Sequence, residues 1–365
     1  MSASPALDAG HMARALELAR RGLDTTDPNP RVGCVVARDD RVLGEGWHQR
    51  AGGPHAEVFA LEAAGAAARD ATAYVTLEPC SHQGRTPPCA DALVAAGIGR
   101  VVYAMRDPNP KVHGGGIARL AAAGIEVEGG VLEREALELN PGFVSRMRRG
   151  RPWVSVKLAA SLDGATALPG GESQWITGEA AREDVQRLRA RSSAVMTGSG
   201  TVIADDPRLD VRLPGTVRQP LRVVLDSRLR TPASARILAP PGQVLILCSD
   251  EDPARTAPLL AAGAEVMAVG SSAGGVDLEA ALTALAARQV NELLVECGAG
   301  LAGALLAAGL ADELLLYLAP TLLGRGSRPL ADLEAPATLA ERLRFSIVER
   351  QDVGDDLLLR LRPRH

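Results

Sequence analysis

Four side chains in two short segments have the types and spacing of a catalytic metal centre. Pro54-His55-Ala56-Glu57 sets an imidazole and a carboxylate two residues apart. The segment EPCSHQGRTPPC, residues 78–89, carries the thiols of Cys80 and Cys89. One imidazole and two thiolates give Zn²⁺ three protein ligands and leave a fourth position for water, the open arrangement of a catalytic zinc. The metal brings the pKa of such a water toward neutrality. Glu57 can approach the site without ligating, which suits it to take the water proton and deliver it to a substrate nitrogen and leaving ammonia. A structural zinc clip is the alternative. It needs a fourth ligand, and His82 lies only two residues from Cys80, where chelation by both is strained.

For these groups to meet, His55 and Cys89 must each open a helix, and Cys80 must follow a strand. The local pattern agrees: helix about 55–64, strand 73–77 (AYVTL), helix about 89–96. Helix N-termini at the metal favour thiolate and developing negative charge. Around them the chain alternates short β runs with helical runs, which reads as α/β. A first unit takes an amphipathic helix 11–21, strands 33–37 and 41–46, strand 100–104, helix 116–123, strand 125–128 and helix 133–147. The stretch 146–152 (RMRRGRP) reads as a solvated linker, so the domains are set at 1–148 and 151–365. The second unit places strands near 153–159, 194–198, 221–226, 243–248, 292–297 and 313–319. Its helices fall near 178–191, 253–262, 277–288 and 300–308, and 343–349 with 356–361 suggest an antiparallel edge hairpin.

The chain has 365 residues, 46% of them hydrophobic and 23% charged, with net charge −4. That length favours two domains. The acidic balance, with only nine aromatic residues, argues against a nucleic-acid-binding module. No apolar run reaches the roughly 18 residues that span a bilayer, and MSASPALDAGH lacks the basic and apolar regions of a signal peptide. A cytoplasmic protein without membrane contact is expected. Cys34, Cys248 and Cys297 sit in or at the end of apolar runs and read as small buried hydrophobes.

The zinc pattern is that of nucleobase deaminases, H-x-E followed by P-C-x-x-C, except that eight residues separate Cys80 from Cys89. With TTDPNPRVGCVV (25–36), GWHQRAGGPHAEVFAL (46–61) and TLEPCSHQGRTPPCADAL (76–93), it resembles the deaminase half of the bifunctional riboflavin-biosynthesis deaminase–reductase family. DPNPKVHGGG (107–116), KLAASLDG (157–164), ESQWITG (172–178), TVIADDPRL (201–209) and LAGALLAAGLADEL (301–314) extend the resemblance over nearly the whole chain. The resemblance implies a cytidine-deaminase-like three-layer α/β domain followed by a dihydrofolate-reductase-like domain. It implies hydrolysis of the 2-amino group of 2,5-diamino-6-(ribosylamino)-4(3H)-pyrimidinone 5′-phosphate, then NADPH-dependent reduction of the ring-opened ribosyl imine to a ribitylamine. A small-molecule substrate, one Zn²⁺ per chain, NADPH and a homo-oligomer follow from it. A monofunctional deaminase with a ligand-binding, non-reducing second domain is the alternative.

By position, the resemblance makes His55, Cys80 and Cys89 the ligands and Glu57 the proton shuttle. Asn29 and His48 would contact pyrimidine and ribose, His82 would line the pocket, and Arg85 would hold the phosphate. Asn29 also has a reading as turn chemistry between two prolines. In the second half, Ala159, Trp175, Thr201, Asp205, Ser227 and the segment Gly298, Ala299, Gly300, Leu301, Ala302, Gly303, Ala304 fall to NADPH. Ser173, Arg189, Leu209, Arg212 and Glu296 fall to substrate. Lys157 and Asp205 are candidates for polarising or protonating the sugar. The residues themselves add two hints: glycines 298 and 300 stand between a strand and a helix, where free N–H groups bind phosphate, and Ser227-Arg228 ends a strand where a 2′-phosphate could be held. Lys157 is one of only two lysines among 40 basic residues. Ala299-Gly300 departs from the family's frequent Pro-Thr, which bears on cofactor affinity.

Overall fold

The computed structural model describes residues 4–81, 88–110, 114–272 and 274–364. The chain divides into two compact units, 1–150 and 151–365.

The first unit runs α1 (Pro5–Arg20), β1 (Gly33–Arg38), β2 (Arg41–Trp47), α2 (Ala56–Ala64), β3 (Thr72–Leu77), α3 (Cys89–Ala95), β4 (Arg100–Met105), α4 (Gly115–Ala122), β5 (Glu126–Gly129), α5 (Glu133–Leu139) and α6 (Pro141–Arg149). Its five strands form one sheet in the order β2-β1-β3-β4-β5. β1 is antiparallel to both β2 and β3, and β3, β4 and β5 are parallel. The central strands are fully buried runs, with Cys34, Val35, Val36, Ala73 and Val75 all at 0% exposure, as a sheet covered on both faces requires. Helices approach the sheet closely through glycines. A Cβ on Gly33 would sit 1.9 Å from the Ala15 carbonyl oxygen of α1, and one on Gly46 would sit 2.4 Å from the Ala56 oxygen of α2.

Three expectations change here, the first being that residues 146–149 of the expected linker are the last turn of α6. Helix α1 starts at Pro5, because Ser4 caps it and Pro5 suits the first helical turn. The helix expected over 133–147 is two helices, because Pro141 has no N–H to continue α5 and opens α6 instead. The break is used. The Asn140 side chain accepts from the Arg31 N–H (2.8 Å) and donates to the Arg31 carbonyl (3.0 Å), fixing the loop that carries Asn29.

The second unit comprises β6 (Trp153–Ser161), β7 (Ala165–Ala167), α7 (Glu179–Arg191), β8 (Ala194–Gly198), α8 (Ser199–Asp205), β9 (Leu221–Leu225), β10 (Val244–Cys248), α9 (Pro253–Ala261), β11 (Glu265–Ala268), β12 (Ser271–Ser272), β13 (Gly275–Val276), α10 (Leu278–Ala287), β14 (Glu292–Glu296), α11 (Ala299–Ala307), β15 (Glu313–Ala319), β16 (Arg328–Pro329), β17 (Phe345–Val353) and β18 (Asp356–Pro363). Nine strands form a sheet in the order β11-β10-β9-β8-β14-β6-β15-β18-β17. From β11 to β15 neighbouring strands are parallel, and β18 and β17 add the antiparallel edge hairpin. Side-chain alternation on β6 puts Val154, Val156 and Leu158 into one core and leaves Lys157 and Ala159 on the other face. The short β7, α8, β11 and β16 lie outside the sequence expectation: two to seven residues carry too little periodicity to read.

Candidate zinc centre and a second, cationic cavity

His55 is the N-cap residue of α2 and Glu57 lies in its first turn. Cys89 is the first residue of α3, and Cys80 follows β3 by three residues. Parallel pairing of β3 with β4 and the packing of α2 against β1 and β2 bring these separate segments together. The ligand atoms of His55, Cys80 and Cys89 all lie within 4.8 Å of one another. His55 Nδ1 faces both sulfurs, 3.1 Å from Cys89 Sγ and 3.6 Å from Cys80 Sγ, and the Cys89 backbone N–H donates to Cys80 Sγ at 3.3 Å. The Cys89 thiol, His55 and that N–H all pull the Cys80 thiol well below its ordinary pKa.

Glu57 is 3% exposed, and burial raises the pKa of its carboxyl. Its Oε2 has no protein partner among the described residues. A buried carboxylate oxygen without a partner is costly unless something else meets it. Three soft or borderline donors beside a carboxylate oxygen without a partner fit a zinc ion with a water in reach of Glu57.

Asn29 and His48 are joined beside this centre. The Pro54 carbonyl can only accept, so His48 Nδ1–H donates to it at 2.9 Å. His48 Nε2 is then left to accept from Asn29 Nδ2 at 3.1 Å. Burial lowers the pKa of His48, and neighbouring His55 lowers it further. The His48 and His55 rings meet edge-on, 5.5 Å between centroids. His82 and Arg85 lie outside the described residues.

In the second unit a cavity of about 1100 Å³ opens at the carboxyl ends of parallel strands, where ligands bind in open α/β sheets. Register places Glu296 of β14 beside Lys157 of β6. Of the residues expected at the cofactor, Ala159, Trp175, Thr201, Asp205 and Gly298–Leu301 line this cavity. Of those expected at the substrate, Ser173, Arg189, Leu209, Arg212 and Glu296 line it too, together with Lys157.

The remaining expected residues stand apart from that lining. Ser227 and Arg228 follow β9, with Arg228 exposed and its carbonyl accepting from Arg255 Nη1 at 2.7 Å. Ala302 and Gly303 are buried inside α11, and Ala304 faces solvent. A Cβ on Gly303 would sit 1.9 Å from the Asp332 carbonyl oxygen, so this glycine serves close packing. Only the first turn of α11 faces the cavity, because the helix carries later residues round to other sides.

Arg189 and Glu296 form a buried two-armed ion pair at 2.5 and 2.9 Å. The Lys157 ammonium has no hydrogen-bond partner among the described residues and stands 5.8 Å from the centroid of the Tyr317 ring. Burial lowers its pKa, Glu296 opposes that shift and Arg189 adds to it. Cys297 departs from the simple reading as a buried hydrophobe, for it lines the cavity, and burial lifts its thiol to about 12. Residues missed by sequence reasoning include Arg182, Arg208, Arg236 and Arg328, all of which line the cavity. Arginines are common in this chain, so nothing local marked them.

Fold and site define a zinc-binding, cytidine-deaminase-like unit followed by a reductase unit of the dihydrofolate-reductase type. Residues 6–105 match the cytidine and deoxycytidylate deaminase zinc-binding region, and residues 152–359 match the RibD C-terminal domain. The chain is 50% identical to the riboflavin biosynthesis protein RibD of Escherichia coli, over 97% of this chain and 99% of that protein. It is 44% identical to the Haemophilus influenzae RibD, over 98% of each. The solved structure of Acinetobacter baumannii RibD superposes with a TM-score of 0.93 at 47% identity, covering 99% of this chain and all of that one. A Thermotoga maritima diaminohydroxyphosphoribosylaminopyrimidine deaminase/5-amino-6-(5-phosphoribosylamino)uracil reductase superposes at 0.87 with 34% identity, covering 99% of each chain. The chain belongs to the RibD family of riboflavin biosynthesis. It is a bifunctional deaminase and reductase, with zinc in its first domain and an NADPH-dependent second domain. Among the described residues no helix is long and apolar enough to cross a membrane.

Proposed function

We propose that the first unit deaminates 2,5-diamino-6-(ribosylamino)-4(3H)-pyrimidinone 5′-phosphate and that the second reduces the ribosyl chain of its product to ribityl. The observation that carries the first step is the convergence of His55, Cys80 and Cys89 beside the buried carboxyl of Glu57, whose Oε2 has no partner among the described residues. Zinc held by those three ligands would supply a Lewis acid for an attacking water. Glu57 takes the proton of that water and passes it to the departing amino group, which leaves as ammonia while oxygen takes its place on the ring. Its raised pKa suits a group that must both hold and release a proton. Asn29 is anchored by His48 and keeps its carboxamide oxygen for a donor on the substrate. Arg85 would reach the phosphate and His82 would border the ring.

For the second step, NADPH would supply the hydride to the former anomeric carbon. The N-terminus of α11 at Gly298–Gly300 suits its pyrophosphate, and Ser227 with Arg228, which stand beyond the cavity lining, are the sequence-based candidates for its 2′-phosphate. Lys157 offers the proton that the reduced sugar needs, and Asp205 is the second candidate. Arg189, held by Glu296, and Arg212 orient the substrate. The reading includes a cytoplasmic location and self-association.

The test is incubation of the purified chain with the diaminopyrimidinone phosphate, with and without NADPH, followed by product mass. Without NADPH the mass should rise by the exchange of an amino group for oxygen, and with it by two further hydrogens. A mass that never moves refutes the reading. A mass that stops at the first change favours the monofunctional alternative.

A further inference from the structure

The cavity of the second unit is far more cationic than the chain around it. Its lining holds seven cations against three carboxylates, Asp205, Asp206 and Glu296, in a chain of net charge −4. Most of those cations are committed within the protein. Arg189 is clasped by Glu296. Arg208 and Arg212 both donate to Asp210, at 2.9 and 2.6 Å. Arg182 donates to the Thr177 carbonyl at 2.8 Å and stacks over Trp175, 4.7 Å from the ring centroid. Lys157 lies deep beside Tyr317. The guanidinium groups of Arg236 and Arg328 have no hydrogen-bond or ion-pair partner among the described residues.

Of these two, Arg328 has a constructed place. Strand β16 pairs with β7, setting Arg328 opposite Ala167. The Thr166 hydroxyl donates to the Pro329 carbonyl at 3.2 Å and holds the pair together. Across from it, Gly171 leaves the gap that the guanidinium occupies, since a Cβ there would sit 2.8 Å from Arg328 Nη2. Burial raises the pKa of Asp205, and the Arg328 charge is close enough to oppose that rise in part. Asp205 forms no ion pair with Arg328, whose exposed side chain lines the cavity with one Nη against Gly171 and no protein acceptor among the described residues.

We propose that Arg328 is a phosphoryl-binding residue of the reductase site, its guanidinium taking a pair of phosphate oxygens from a ligand held in the cavity. The planar fork of arginine matches two oxygens of one phosphate. The inference rests on the reading that this cavity takes a phosphorylated substrate and NADPH. Either ligand offers the chemistry: the sugar 5′-phosphate, the pyrophosphate or the 2′-phosphate.

The experiment compares wild type, Arg328→Gln, Arg328→Lys and Gly171→Ala, each checked by thermal melting. NADPH and NADH affinities are titrated, the KM of pre-deaminated substrate is measured, and each is repeated over a range of ionic strength. Arg328→Gln should weaken one ligand about tenfold or more, the loss of a charged hydrogen bond, with kcat little changed and a flatter salt dependence. Arg328→Lys should recover part of the loss. Gly171→Ala should reproduce part of it, by straining the backbone at φ +96° as well as by crowding the guanidinium. A loss for NADPH alone marks the 2′-phosphate, an equal loss for NADPH and NADH the pyrophosphate, and a loss in substrate KM alone the 5′-phosphate. All three support the proposal. Affinities, KM and salt dependence all within about twofold of wild type would overturn it. If wild type itself ignored NADPH, the functional reading would fail, and calorimetry with inorganic pyrophosphate on wild type and Arg328→Gln would still decide the role of Arg328: equal affinity, or no binding to either, overturns it.

Discussion

Glu57 is buried and Lys157 half-buried, and each should show it. Glu57→Gln preserves shape and the three ligands but cannot carry a proton. Ammonia release should fall by about 10²–10⁴, while elemental analysis still finds zinc near one per chain. Cys80→Ser should instead lose most of the zinc, because a hydroxyl is a poor soft ligand. Full retention of zinc in that variant would sink the ligand assignment. For Lys157 the sign is set by burial, which disfavours the ammonium and lets it lose its proton at lower pH than an ordinary lysine. If its ammonium donates the proton, reductase kcat should decline on the alkaline side at a pH below the usual lysine value of about 10.4. Glu296 raises the lysine, so Glu296→Gln should move that decline to still lower pH. An alkaline limb unmoved in Glu296→Gln would show that some other group titrates. For His48, the Nδ1–H form required by the Pro54 carbonyl should be visible in ¹⁵N-histidine spectra. A protonated Nε2 would contradict the anchoring of Asn29.

At the scale of elements, α2 and α7 do the positioning. α2 presents His55 and Glu57 from its first turn, and it can lie close to the sheet only because Gly44 and Gly46 of β2 lack side chains. A Cβ on Gly46 would meet the Ala56 oxygen at 2.4 Å and the Ala60 nitrogen at 2.6 Å, both backbone atoms that cannot rotate away. Gly46→Ala should therefore displace α2, destabilise the first unit by about 1–3 kcal/mol and lower its zinc content. Gly10→Ala is the control: nothing lies within 4 Å of that Cβ, and a helix interior gains about 0.5–1 kcal/mol from the exchange. Melting curves in which Gly46→Ala matches wild type would refute the role given to this contact. α7 works on the other site. Arg182, Gln186 and Arg189 recur at helical spacing, and they stack on Trp175, accept from the Arg212 N–H at 2.9 Å and bind Glu296. Asp184 on the same helix accepts from the Tyr317 hydroxyl at 2.6 Å, holding the ring that faces Lys157.

For the whole molecule, the two chemistries belong to two separately packed cores. The first is built around β1, β3 and β4, and the second lies on both faces of the nine-stranded sheet. Removing zinc with a chelator should therefore abolish ammonia release while reduction of pre-deaminated substrate continues at close to its normal rate. Parallel loss of both activities would mean that the second core depends on the first.

The α/β alternation and the short segments that bring His55, Cys80 and Cys89 together beside Glu57 were legible in the sequence, because each is local. A His-Ala-Glu turn, a Pro-Cys after an apolar run and a Gly-Ala-Gly before a helix carry their meaning within a few residues. The family resemblance added the reductase residues by position. Only the tertiary structure decided which of them share a space. It gathered Lys157, Glu296 and the first turn of α11 at the ends of parallel strands, and it turned Ala302, Gly303 and Ala304 away from the cavity. It also tied Arg189 to Glu296, 107 positions away, and brought Arg328 into the gap left by Gly171. Such pairings come from strand register and close backbone approach between distant segments, and no local pattern of residue types encodes them.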